Sequence, residues 1–64
     1  MQKFKYLICV EVFDDQYEII HKTNIYTETK GYRLKTKDNI QRHLTRYYKG
    51  YSVEKCYIAN FIEL

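Results

Sequence analysis

The sequence predicts a small α+β domain: an antiparallel sheet of three or four strands with one helix packed on one face, in the order ββ(β)αβ. Three observations lead there. Thr36–Gly50, TKDNIQRHLTRYYKG, is the one stretch with clear helical periodicity. Two stretches before it alternate apolar and polar side chains at period two, and one after it is apolar on both sides. Sixty-four residues allow a single domain, 1–64, with a thin core.

Phe4–Phe13 is the first strand. Phe4, Tyr6, Ile8, Val10 and Val12 share one face; Lys5, Leu7, Cys9, Glu11 and Phe13 share the other, whose middle is apolar too. Asp14-Asp15-Gln16 reads as a turn, because Asp side chains hydrogen-bond nearby backbone amides. Tyr17–Glu28 returns as the second strand of a hairpin. Tyr17, Ile19, His21, Thr23, Ile25 and Thr27 lie on one face, with Glu18, Ile20, Lys22, Asn24, Tyr26 and Glu28 on the other. This is long for a strand, so a bend or bulge is expected near Lys22–Asn24. Thr29-Lys30-Gly31 suits a hairpin loop with glycine last, which makes Tyr32–Lys35 a short further strand. The alternative is a basic loop over 29–36.

The helix is expected over roughly 37–49. Steps of about 100° per residue put Tyr47, Ile40, Leu44 and Tyr48 on one side. Arg42, Lys49, Arg46, Thr45 and Asp38 fall on the other. Thr36 or Asp38 can cap the start, Lys49 suits the negative pole at the end, and Gly50 suits the left-handed position beyond it. Tyr51–Leu64, strongest from Val53 to Ile62, is the last strand. Val53, Tyr57, Ala59 and Phe61 lie on one side and Cys56, Ile58, Ile62 and Leu64 on the other, the pattern of a strand buried on both faces. The simplest assembly has the first strand central, with the second strand, helix and last strand forming a right-handed crossover around it.

Composition bounds the function. No segment approaches the roughly 18 apolar residues of a membrane span, and Leu7–Val10 is cut short by Glu11 and Asp14, so no signal peptide is read. A soluble, cytoplasmic protein without membrane contact is expected. Cys9 and Cys56 each sit in an apolar run and are expected as free thiols. Net charge is +3, but unevenly spread. Lys30, Arg33, Lys35, Lys37, Arg42, Arg46 and Lys49 face only Asp38 across residues 30–49, a local net of +6. Such a patch steers acidic partners. These seven basic residues, with Tyr32, Tyr48 and Tyr51 as aromatic contacts, are the candidate binding set.

Catalytic and metal chemistry find little support. His21 and His43 are the only histidines. His43 beside Arg42 and Arg46 loosely fits a metal-free ribonuclease, yet no nucleophile–base spacing accompanies it. The cysteines and histidines lack the close pairs of a zinc site, and Gly31 and Gly50 are too few for a phosphate loop. No catalytic residue, metal or cofactor is assigned.

One helix shields one side of a sheet. Leu7, Cys9, Phe13, Ile20, Tyr26 and one row of the last strand are left for the other, an apolar surface that calls for another copy of the chain or a protein target. The eight tyrosines favour the same reading, since interfaces use Tyr heavily.

Short length, richness in Lys, Tyr and Ile, and the run RYYKGY at Arg46–Tyr51 give a further pointer. In these general features the chain resembles the small early proteins of phages of low-GC bacteria, including anti-CRISPR and other host-takeover inhibitors. The resemblance implies a stoichiometric, non-enzymatic binder acting in the host cytoplasm; it carries no site residue with it. The leading expectation is therefore an inhibitor docking on a host nucleic-acid-handling protein, one of CRISPR or other defence included. A small DNA- or RNA-binding protein using the same stripe is the alternative, and a ribonuclease-like toxin relying on His43 a minor one. A homodimer through the open sheet face is compatible with any of them.

Overall fold

The computed structural model describes residues 1–51 and 55–64. Its elements are β1 (Lys3–Phe13), β2 (Ile19–Lys30), α1 (Lys37–Tyr47) and β3 (Cys56–Glu63). The strands form one antiparallel sheet in the order β2-β1-β3, with β1 central as expected. α1 carries the chain across β1 from one edge of the sheet to the other.

The hairpin is closed by Asp14. Its carboxylate accepts from the amides of Gln16 and Glu18 at 2.9 and 3.0 Å, the local bonding that favours Asp in turns. Tyr17 adopts a left-handed φ of 60°, so it belongs to the turn, and β2 begins two residues later than the alternation suggested. Pairing is regular through Lys22–Asn24, where a bulge was expected. The irregularity lies nearer the tip: Val12 opposes His21 but Phe13 opposes Ile19. At its other end β2 runs on to Lys30, and Gly31 turns at φ +84°.

Residues 32–35 are a loop, not the short strand expected there. The reason lies in hydrogen bonding. The Leu34 amide donates to the Tyr6 hydroxyl at 2.7 Å, and the Thr29 hydroxyl donates to the Tyr32 carbonyl. Side chains of the sheet thus satisfy this backbone, and Leu34 is driven into the core.

Thr36 caps α1, accepting from the Asn39 amide at 3.1 Å. The helix ends at Tyr47 because Tyr48 is extended (φ −127°, ψ 121°). Lys49 therefore leaves the helical stripe, while Gly50 takes the positive φ expected of it, +91°. Ile40 and Leu44 are fully buried against Tyr6, Ile8 and Val10, with Ile25, Leu34, Cys56 and Ile58 completing the core. Each such aliphatic chain contributes about 1.5–3 kcal/mol through burial.

β3 explains its own two-sided apolar pattern. Val10 opposes Ile58, but Cys9 opposes Asn60, so Ala59 is an extra residue. This bulge reverses the alternation. Cys56 and Ile58 face α1 before it, and Phe61 faces α1 after it; Tyr57 and Ile62 turn to the opposite face. The strand is not buried on both sides: Tyr57 and Ile62 are each about half exposed. Val53 and its neighbours 52–54 lie outside the described residues. Cys9 and Cys56 are free, on opposite faces of the sheet. No described helix is long and apolar enough to cross a membrane.

Candidate anion-binding cleft

Where the loop after β2 meets α1, a cleft of about 340 Å³ opens, lined by Tyr32, Arg33 and Leu34 from the loop and by Asn39, Arg42, His43, Arg46 and Tyr47 from the helix. Helix geometry makes the far wall. Positions 39, 42, 43, 46 and 47 recur at three and four residues and share one flank of α1. The near wall follows from the bond between the Leu34 amide and Tyr6, which pins the loop to the sheet just after Tyr32 and Arg33.

Three arginines line the cleft. Arg33 pairs with Glu63 at 3.0 Å, both side chains near half exposed, and its guanidinium lies 4.7 Å above the Phe4 ring. That pairing is worth little in free energy at such exposure but orients the fork. Arg46 stands 5.7 Å over the Tyr47 ring. Among the described residues no carboxylate is in ion-pair contact with Arg42 or Arg46. Asp38, Gln41 and Thr45 border the same two arginines on their other side, which makes Arg42 and Arg46 a ridge.

The floor is His43, 8 % exposed. Its Nε2 lies 3.1 Å from the Thr27 hydroxyl, which accepts from Tyr48 at 3.0 Å. Burial pushes the imidazole below its ordinary value, so it is neutral near pH 7. Its ring packs 4.9 Å from that of Tyr47. Loss of solvent, then the adjacent Tyr47 phenol, raises the Tyr32 phenol above its ordinary value, keeping it a neutral donor.

The sequence-selected residues divide into groups. Arg33, Arg42, Arg46 and Tyr32 meet at the cleft. Lys30 lines a neighbouring depression with Glu28, Tyr32 and Tyr47. Lys35 is exposed beyond the cleft, its backbone amide donating to Asn39 at 3.1 Å. Lys37 reaches the other way, 5.5 Å over the Tyr57 ring, and Lys49 sits in the turn past the helix. Tyr48 and Tyr51 are partly buried against the core, Tyr48 bonded to Thr27 and the Tyr51 carbonyl accepting from Gln41 at 2.9 Å. Both are packing residues.

Sequence reasoning assigned Tyr47 to the buried helix face; it is 59 % exposed and forms a cleft wall. His43 takes the buried position instead. Thr27 supplies the reason, since a partner on the sheet makes burial of an imidazole tolerable. Asn39 was missed, and its only signal was the i, i+3, i+7 spacing to Arg42 and Arg46. Comparison with known proteins yields no family, no curated protein and no solved structure that matches the chain.

Proposed function

We propose that the protein is a non-enzymatic binding module whose arginine cleft docks on an acidic partner. One observation carries this: Arg33, Arg42 and Arg46 line a single cleft, and only Arg33 has a carboxylate partner among the described residues. Arginine forks recognise carboxylate and phosphate groups in pairs of parallel hydrogen bonds. The partner favoured is a host protein that handles nucleic acid, met through an acidic surface of that protein; the resemblance to phage inhibitors supports that choice. In a phage setting the site of action is the host cytoplasm.

Direct nucleic-acid binding is the second reading, supported by the Tyr32 and Tyr47 rings beside the guanidiniums. Basic groups meet phosphate while aromatic faces stack on bases. The ribonuclease reading is weaker, because His43 is buried and its Nε2 is engaged with Thr27.

Affinity capture from host lysate, with and without nuclease treatment, separates the readings. Capture that survives nuclease and is lost in the Arg42→Glu/Arg46→Glu double variant supports a protein partner. Strong gel shifts of random DNA or RNA with a steep salt dependence favour the second reading. Unchanged binding in the double variant, with folding confirmed by circular dichroism, overturns both.

A further inference from the structure

The sheet face turned away from α1 has an order of charges that matches itself. Cross-strand partners share a face, so its rows follow from the register. Lys5 lies beside Glu28, and Leu64 donates its amide to the Lys5 carbonyl. Next come Leu7 with Tyr26 and Ile62, then Cys9 with Asn24 and Asn60, then Glu11 with Lys22 and Tyr57. The Lys5–Glu28 and Glu11–Lys22 rows therefore bracket a central band, with opposite signs at its two ends on each of β1 and β2, and Lys3 beside Lys30 lies beyond the first of them. The band is open: Tyr26, Tyr57 and Ile62 are each about half exposed and Leu64 is 64 % exposed.

From this pattern we infer that the face pairs with a second copy of the chain about a two-fold axis lying across the strands at Ile8. Such an axis reverses strand direction and keeps each strand over its own copy. Lys5 then meets Glu11 of the other copy, and Glu28 meets Lys22. Leu7 lies over Cys9, Ile62 over Asn60, and Tyr57 over Leu64. These four charges each gain an opposite partner, the self-complementarity an isologous contact requires, while Lys3 and Lys30 lie at the rim, Lys3 opposite Phe13. An axis along the strands instead stacks Lys5 on Lys5 and Glu11 on Glu11, like charges against the centre of the sheet. The footprint is about 30 Å of strand by about 14 Å of sheet width, at the small end for a biological contact. The dimer is accordingly weak and transient. This contact is independent of the arginine cleft.

Sedimentation equilibrium across about 10 µM to 1 mM, a range set by that small footprint, tests it with the variants Lys5→Glu and Glu11→Lys. Each alone puts like charges in contact and is expected to weaken association by about tenfold. Mixed in equal amounts they restore it, because Glu at 5 meets Lys at 11 in one half of the heterodimer and the native Glu11 meets the native Lys5 in the other. Contacts within each chain are the same alone and mixed, so recovery reports only the pairing. Lys22→Glu with Glu28→Lys repeats the test if either first variant fails to fold. A wild-type chain that stays monomeric throughout, single variants that associate as well as wild type, or a mixture that does not recover each overturn the inference.

Discussion

Replacing Thr27 by valine probes the seam between sheet and helix. The Thr27 oxygen is 3.0 Å from the Tyr48 hydroxyl and 3.1 Å from His43 Nε2. With Tyr48 donating to it, the Thr27 oxygen bridges the phenol and the imidazole. Valine keeps the shape and the strand preference but removes the bridge. An orphaned buried polar group costs about 1–3 kcal/mol. His43 is 8 % exposed and bears most of this, while Tyr48 is only partly buried and can reach water. A cost near 2 kcal/mol follows. In a domain this small that lowers the unfolding temperature by about 8–16 °C. Thermal and urea unfolding followed by circular dichroism measure it, alongside Tyr48→Phe and the double variant. Tyr48→Phe leaves Thr27 free to bond His43 and costs only about 0.5–1.5 kcal/mol. If the three groups act together, the double variant costs about 0.5–1 kcal/mol less than the sum. A Thr27→Val change within about 0.5 kcal/mol of wild type, or strictly additive costs, would refute the network.

Two further perturbations follow from the same seam. Burial depresses the His43 imidazole, so below pH ~6.5 the unfolded chain binds a proton that the folded chain resists. Its contribution is full above that pH and is lost as pH falls, at up to about 1.4 kcal/mol per unit; His43→Gln should remove this slope, and unfolding curves that stay parallel between about pH 5 and 7 count against the assignment. Tyr6→Phe strips the Leu34 amide of its 2.7 Å partner and should cost about 1–2 kcal/mol. Hydrogen exchange at Leu34 should quicken with it, and an unchanged exchange rate there would mean that the loop is held some other way.

The sheet order, the helix and most core positions were legible because each rests on periodicity. Tyr6, Ile8 and Val10 alternate, and Ile40 and Leu44 lie one turn apart. Features that depend on a single long-range bond were not. Nothing local distinguishes Tyr32–Lys35 from a strand until the Tyr6 hydroxyl, far off in sequence, takes the Leu34 amide. The Ala59 bulge is equally silent, since both faces of Cys56–Ile62 are apolar before and after the reversal. Within the cleft, charge spacing found Arg42 and Arg46 and composition found Arg33. The exchange of places between Tyr47 and His43 depended on Thr27, which reads as an ordinary strand residue.

The cleft and the open face lie on opposite sides of one sheet, and this links the two proposals to a measurable consequence. In the two-fold pair each copy turns its arginines outward, with two sheets and two helix layers between the clefts. Layer spacings of about 10 Å put the openings on the order of 30 Å apart. A short anion, such as a dinucleotide, reaches one cleft and gains nothing from pairing. A long single strand can reach both, and its second contact is made at high effective concentration. Lys5→Glu and Glu11→Lys should therefore each weaken binding to a 40-nucleotide strand by about tenfold or more. The two substitutions change net charge in opposite directions, so loss in both cannot be a charge effect. Their equal mixture has the wild-type mean charge and should recover the affinity. Dinucleotide binding should be insensitive to all three samples but abolished by Arg42→Glu/Arg46→Glu. Equal losses for short and long ligands would sever the cleft from the dimer, and a long strand bound no more tightly than a dinucleotide would favour a protein surface as the partner.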